Sequence, residues 1–335
     1  MSIVLVLFAH LANQPGLIPL PSRVLVSLAA LGVRVFFVIS GFLITTLLLA
    51  EKDRSGSISL RSFYLRRTMR IFPPFYAYVA VMALAAAAGW IQLRPHDLLA
   101  AVTYTVNYHH DRSWYLGHAW SLAVEEQFYL LWPFVFCYLG ARRAALVCLA
   151  TIVVSPLLRV TLLIAAPTFR VGIGETFPTV ADSIATGCLL ASCREGLATS
   201  RRWLTHLQSP LGWALPVAGL VAALSPGTTV GFLAGQTITN IGIAVLIERL
   251  VRFPTSGVAP LFNLRPVVYL GTLSYSLYLW QQPFLAPGAA WPGRFPWNLL
   301  AALVAALASF YLIERPALRL RGRLETRTIA HQPVA

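Results

Sequence analysis

Ten apolar stretches separated by short polar turns constrain this chain more than any other feature. They centre on residues 1–12, 29–50, 73–93, 120–139, 144–165, 179–193, 211–225, 229–248, 267–286 and 298–313. A helix that crosses a hydrocarbon core takes about 20 mainly apolar residues, and most of these stretches come close to that length. Only 11% of the residues are charged and 57% are hydrophobic, whereas a soluble domain carries about 25% charged residues. The pattern predicts an all-α integral membrane protein with about ten transmembrane helices in one bundle. Residues 1–318 are read as the membrane-embedded domain and 319–335 as a basic tail, whose last dozen residues are expected to lack order.

The basic residues follow the turns. Nineteen of the 26 Lys and Arg residues lie after even-numbered stretches or in the tail, among them Lys52, Arg142, Arg194, Arg249 and Arg315. Arg23, Arg94, Arg112, Arg170 and Arg294 occupy the opposite turns, and Arg34 and Arg159 remain inside apolar stretches. Positive residues mark the cytoplasmic side, so both termini are expected in the cytoplasm, in keeping with an even number of helices. The formal net charge of +14 then reports topology, and a nucleic-acid partner is excluded because the charge is not gathered into one basic footprint.

Ser2 to Ala12 is short for a crossing, since at 1.5 Å per residue it covers about 16 Å. It also lacks the basic start of a cleaved signal peptide. The first helix is therefore expected to be N-terminally truncated, or to have its natural start upstream of Met1. Cys137, Cys148, Cys188 and Cys193 form no CxxC pair and are read as small core residues. His109 and His110 are adjacent, not four apart, and are assigned to a solvated loop; no metal site is expected.

Against this background the stretch Trp120–Pro133 sets two carboxylates, Glu125 and Glu126, near the start of an apolar helix. An ionisable group at the centre of a membrane helix costs at least about 2.5 kcal/mol, which makes the pair a functional candidate. The alternative is an interfacial pair that favours the helix N-terminus by about 0.3–1 kcal/mol. Ser121, Glu125 and Tyr129 recur every four residues and share a face, while Glu126 turns about 100° away.

His10 lies near the outer end of the first stretch. Its unperturbed pKa of about 6.5 suits a general base, and the alternative is a hydrogen-bonded core histidine. Arg66, Arg67 and Arg70 are three and four residues apart, so a helix gathers them toward one face, suited to phosphate or to anionic lipid. The run Asn107–Tyr115 reads as an interfacial aromatic belt or as a platform for a sugar. Ser40 and Gly41 are assigned to helix packing, and Asp182 opens the sixth stretch.

Five segments occur in order through most of the chain: FFVISGFLI, RRTMRIFPPFY, WSLAVEEQFYLLWP, GTLSYSLYLWQQP and YLIERP. Each alone is weak. In this order, with ten apolar stretches, they resemble the acyltransferase-3 family, the bacterial membrane acyltransferases that O-acylate sugars and other hydroxylated acceptors.

That resemblance implies a multi-pass protein of the bacterial cytoplasmic (inner) membrane. It implies an acyl-CoA donor, acetyl-CoA first, reached from the cytoplasm and not permanently bound, and a carbohydrate or other hydroxylated acceptor. His10 matches the family's central histidine, with Glu125 expected to orient the imidazole or balance its charge. Arg66, Arg67 and Arg70 are then expected to hold the coenzyme A phosphates, and Trp120, Ser121, Tyr129, Asp182 and Tyr275 to contact the acceptor. Two departures stand out: the family's arginine eleven positions before the histidine has no counterpart here, and Gln281 stands where the motif usually has histidine. The rival readings are a transporter or flippase for a lipid-linked substrate and a catalytically inactive relative.

Overall fold

The computed structural model describes residues 2–12, 20–166, 169, 172–224, 229–286 and 294–330, with side chains placed as far as 322. In chain order the helices are α1 (Ser2–Ala12), α2 (Ser22–Ser55), α3 (Leu60–Ala87), α4 (Asp97–Val102), α5 (Trp114–Gly117), α6 (Ala119–Ala165) and α7 (Phe177–Thr199). They continue with α8 (Arg201–Gln208), α9 (Ala214–Ala223), α10 (Gln236–Arg252), α11 (Ala259–Phe262), α12 (Arg265–Phe284), α13 (Trp297–Ser309) and α14 (Arg315–Ala330). Among the described residues no strand occurs. The predicted apolar stretches fall mainly on helix, and among the described residues five helical segments are long and apolar enough to cross a membrane: 22–55, 60–87, 114–165, 231–252 and 297–322.

Local chemistry explains the ends. α2 stops where Gly56 takes φ 73°, and its N–H returns to the Lys52 carbonyl at 2.8 Å. Lys52 and Arg54 stand in that last turn, where cations suit the helix dipole. Ser59 caps α3 by accepting from the Ser62 N–H at 3.3 Å. Gly140, with φ 74° and ψ 166°, breaks α6 into two helices at the turn expected between the fourth and fifth stretches. α14 runs to Ala330, where Ala, Leu and Arg are strong helix formers; the rest of the tail, 331–335, lies outside the described residues.

The helices group into two compact units, one of residues 1–58 and 120–269, the other of residues 59–119 and 270–335. In the first unit α2, the first half of α6, α7 and α10 run in one direction. Phe37 meets Trp120 with ring centroids 6.1 Å apart, and Trp132 donates to Thr45 at 2.9 Å, so α2 and α6 advance together. Arg34 bonds Ser183 at 3.1 Å while Gly41 packs on Cys188, which does the same for α2 and α7. Asn240 bonds Asp182 and Arg194 bonds Glu248, each at 3.1 Å, which aligns α10 with α7. The second half of α6 runs back, with Arg159 on Asp182 and Cys148 beside Cys188. α9 also runs back along α10, Gly219 against Thr239 and Leu215 against Gly242.

α2 and α7 pack closely at two glycines. A Cβ on Gly41 would lie 2.1 Å from the Ile184 carbonyl oxygen, and one on Gly187 would lie 2.0 Å from that of Val38. Small residues let membrane helices pack backbone to backbone, so Gly41 fills the packing role expected of it. Cys148 and Cys188 are buried as expected; Cys137 and Cys193 are exposed on their helices.

In the second unit α3 and α12 run in one direction. Tyr275 donates to the Ile71 carbonyl at 2.9 Å, and the rings of Tyr78 and Trp280 meet at 5.3 Å. The loop after α3 is folded around buried Asp97, which accepts from the N–H groups of Arg94 at 2.8 Å and Ser113 at 3.1 Å. His109 Nε2 completes the set at 3.1 Å. His109 is thus half-buried and tied to a carboxylate, not in a solvated loop; Asp97, lying outside the aromatic run, gave no local sign of this partner.

Candidate active site

Glu125 is 4% exposed, and two hydroxyls close on it. Tyr129, one turn along α6, donates to Glu125 Oε1, as the four-residue spacing predicts. Ser40 on α2 donates to the same oxygen, and the Ser40 and Tyr129 hydroxyls lie 2.6 Å apart. Ser40, assigned to packing from sequence, is therefore a polar partner of the carboxylate. The signal was its place in an apolar helix face, but nothing local names the helix it meets. Trp120 is half-buried and meets Phe37 edge to face, and Ser121 is buried. Glu126, on the neighbouring face, is half-buried.

His10 is half-buried in the last turn of α1. α1 crosses α2 at Gly32, where a Cβ would lie 2.8 Å from both the Ser2 carbonyl oxygen and the Val6 side chain. That crossing holds the first half of α1, and His10 lies four residues beyond Val6.

Arg66, Arg67 and Arg70 occupy the first turns of α3, which runs unbroken through Pro73 and Pro74. Arg66 and Arg67 are half-buried and Arg70 is exposed. The Arg67 guanidinium lies 5.9 Å from the Phe63 ring centroid.

Asp182 is fully buried and its oxygens are taken. Arg159 donates to both at 2.9 Å, Asn240 to Oδ2 at 3.1 Å and Thr237 to Oδ2 at 3.3 Å. With both oxygens engaged and no exposed surface, Asp182 holds helices together. Its partner Arg159, set aside in the sequence as a cation within a span, has no exposed surface.

In the second unit Tyr275 spends its hydroxyl on the Ile71 carbonyl. His118, passed over in the sequence, is buried among aromatic rings, 5.5 Å from Tyr78 and 5.2 Å from Tyr278. Gln281 is buried and its amide donates to the Gln282 side chain at 3.0 Å. Gln282 and Trp114 exchange hydrogen bonds with each other's backbone carbonyls at 2.8 and 2.7 Å. Ser276 donates to buried Glu314 at 2.8 Å, which joins the fourth and fifth sequence motifs.

Comparison with known proteins bears directly on these motifs. O-acetyltransferase OatA of Staphylococcus aureus (strain NCTC 8325 / PS 47) is 30% identical over 326 aligned positions, covering 85% of this chain and 52% of the relative. Peptidoglycan O-acetyltransferase OatA of Listeria monocytogenes is 26% identical over 315 positions, covering 85% and 49%. The chain thus spans about half the length of the curated relatives it matches. No solved structure matches. The family model described as an acyltransferase domain covers residues 1–315, so the chain belongs to the acyltransferase-3 family.

Proposed function

We propose that this chain is a membrane O-acyltransferase that moves an acyl group, acetyl first, from acyl-CoA at the cytoplasmic face to a carbohydrate hydroxyl. The observation that carries the reading is the buried cluster of Ser40, Glu125 and Tyr129, in which two of the family motifs converge on one carboxylate. The relatives' names supply the acetyl group, and the Listeria name points to peptidoglycan as the acceptor. The chain crosses the bacterial inner membrane ten times with both termini in the cytoplasm. Support comes from the reversal of successive helices in the first unit and from the basic residues gathered in alternate turns.

In this reading Arg66, Arg67 and Arg70 hold the coenzyme A phosphates. His10 takes the proton from the acceptor hydroxyl as its oxygen bonds to the thioester carbonyl carbon. The carbon–sulfur bond then breaks, and the imidazolium returns the proton to the leaving thiolate, so base and acid are one residue. Trp120 and Ser121 contact the acceptor. Glu125, held by Ser40 and Tyr129, orients the imidazole or balances its charge.

The test is turnover of labelled acetyl-CoA by the purified full chain in proteoliposomes supplied with peptidoglycan fragments. His10→Ala is expected to lower acyl transfer by about 10²–10⁴-fold with unchanged membrane insertion. Near-normal transfer by that variant sinks the assignment, and movement of a lipid-linked substrate without donor turnover supports a transporter instead.

A further inference from the structure

Arg34 lies in the interior of α2, within the stretch that is apolar enough to span. It belongs to the same polar group as Arg159 and Asp182, but the three charges are unequally served. Arg159 uses Nε on the Phe232 carbonyl at 3.0 Å, Nη1 on the Thr179 carbonyl at 2.7 Å and on Asp182, and Nη2 on Asp182. The group holds two guanidinium groups and one carboxylate, which is paired with Arg159, so it carries a net charge of +1. Arg34 spends only Nη1, on Ser183 Oγ at 3.1 Å and Asn240 Oδ1 at 3.4 Å. Among the described residues no acid lies within ion-pair distance of Arg34, and Nε and Nη2 carry no hydrogen bond.

This division of donors has a chemical consequence. The two hydrogens of Nη1 are committed to neutral oxygens of α7 and α10, which fixes the plane of the guanidinium. The edge left open is Nε with Nη2, the fork that matches two oxygens of a carboxylate or phosphate. The side chain is half-buried, so that edge is reachable. An uncompensated cation inside a span is costly, and no protein acid with spare capacity opposes this one.

We propose that Arg34 is the anchor of an anion site in the first unit, which takes one oxyanion, phosphate or carboxylate, along its Nε–Nη2 edge, with Ser183 and Asn240 as positioning residues. The site is separate from the acyl-transfer reading, since it is tested by binding alone. Its ligand comes from the head group of an anionic lipid or from a soluble anion.

The experiment measures the unfolding temperature of the full chain by tryptophan fluorescence. In uncharged detergent it is titrated with inorganic phosphate or acetate at constant ionic strength; in nanodiscs, phosphatidylcholine is compared with phosphatidylglycerol. A saturable rise in detergent identifies a soluble anion, and a rise confined to phosphatidylglycerol identifies the head group. In either arm Arg34→Gln is expected to weaken binding by at least about tenfold, as loss of a charged hydrogen bond implies. Arg34→Lys, which keeps the charge and removes the fork, falls between the two and serves if the glutamine variant fails to fold. Arg201→Gln, at an exposed arginine, leaves binding unchanged. The proposal is overturned if no anion raises the unfolding temperature in either arm, or if the rise is the same in wild type and both Arg34 variants.

Discussion

Gly41→Ala tests the contact on which the first unit turns. The added Cβ meets the Ile184 carbonyl oxygen at 2.1 Å and the Cys188 nitrogen at 3.1 Å. Both are backbone atoms of α7, so no side-chain rotation relieves the overlap. Restoring an ordinary contact of about 3.4 Å moves the two backbones apart by about 1.3 Å at that point. Overpacking of this kind costs about 1–3 kcal/mol. The same movement lengthens the 3.1 Å bond from Arg34 to Ser183, adding about 0.5–1.5 kcal/mol for one hydrogen bond. The expected loss is thus about 2–4 kcal/mol, read as a lower midpoint for unfolding by sodium dodecyl sulfate in mixed micelles. Gly196→Ala is the control: it lies in the same helix α7 with nothing within 4 Å of its Cβ, and alanine there should stabilise by about 0.5–1 kcal/mol. If the two variants unfold at the same midpoint, close packing of α2 on α7 is not what holds this unit together.

Three further outcomes follow from the site. Glu125→Gln keeps an oxygen for Ser40 and Tyr129 and removes the charge; with those hydrogen bonds kept, kcat should fall less than in His10→Ala, and an equal fall assigns to the Glu125 charge a role as large as that of the base. Asp182→Ala leaves Arg159 buried without its counterion, which costs about 3–5 kcal/mol, so the variant should fail to accumulate in membranes, whereas Asp182→Leu combined with Arg159→Met recovers part of the yield. Replacing Arg66 and Arg70 together by Gln should raise KM for acetyl-CoA by roughly tenfold with kcat little changed; an unaltered KM at low salt removes the cluster from the donor site.

The periodic features of the chain were legible before any coordinates. Apolar runs gave the helices, Gly140 sat at the break between two of them, and the four-residue spacing of Glu125 and Tyr129 became a hydrogen bond. These are properties of one helix, fixed by its own repeat. Partners across helices were not legible. Ser40 meets Glu125 and Asp97 meets His109 because distant segments pack, and neither residue carries a local mark of its companion.

The same distinction accounts for how Asp182 and Arg34 exchanged roles. From sequence, an acid at the start of a span reads as an open ligand group and an arginine within a span reads as an anomaly. Packing reverses both assignments. Asp182 is met by Arg159, Asn240 and Thr237 from two other helices, which engage both its oxygens and bury it fully. Arg34 is met by Ser183 and Asn240, which take only one of its three nitrogens. Availability for a ligand is thus a count of donors and acceptors left over after folding. By that count the cation, not the carboxylate, is the open group at the meeting of α2, α7 and α10.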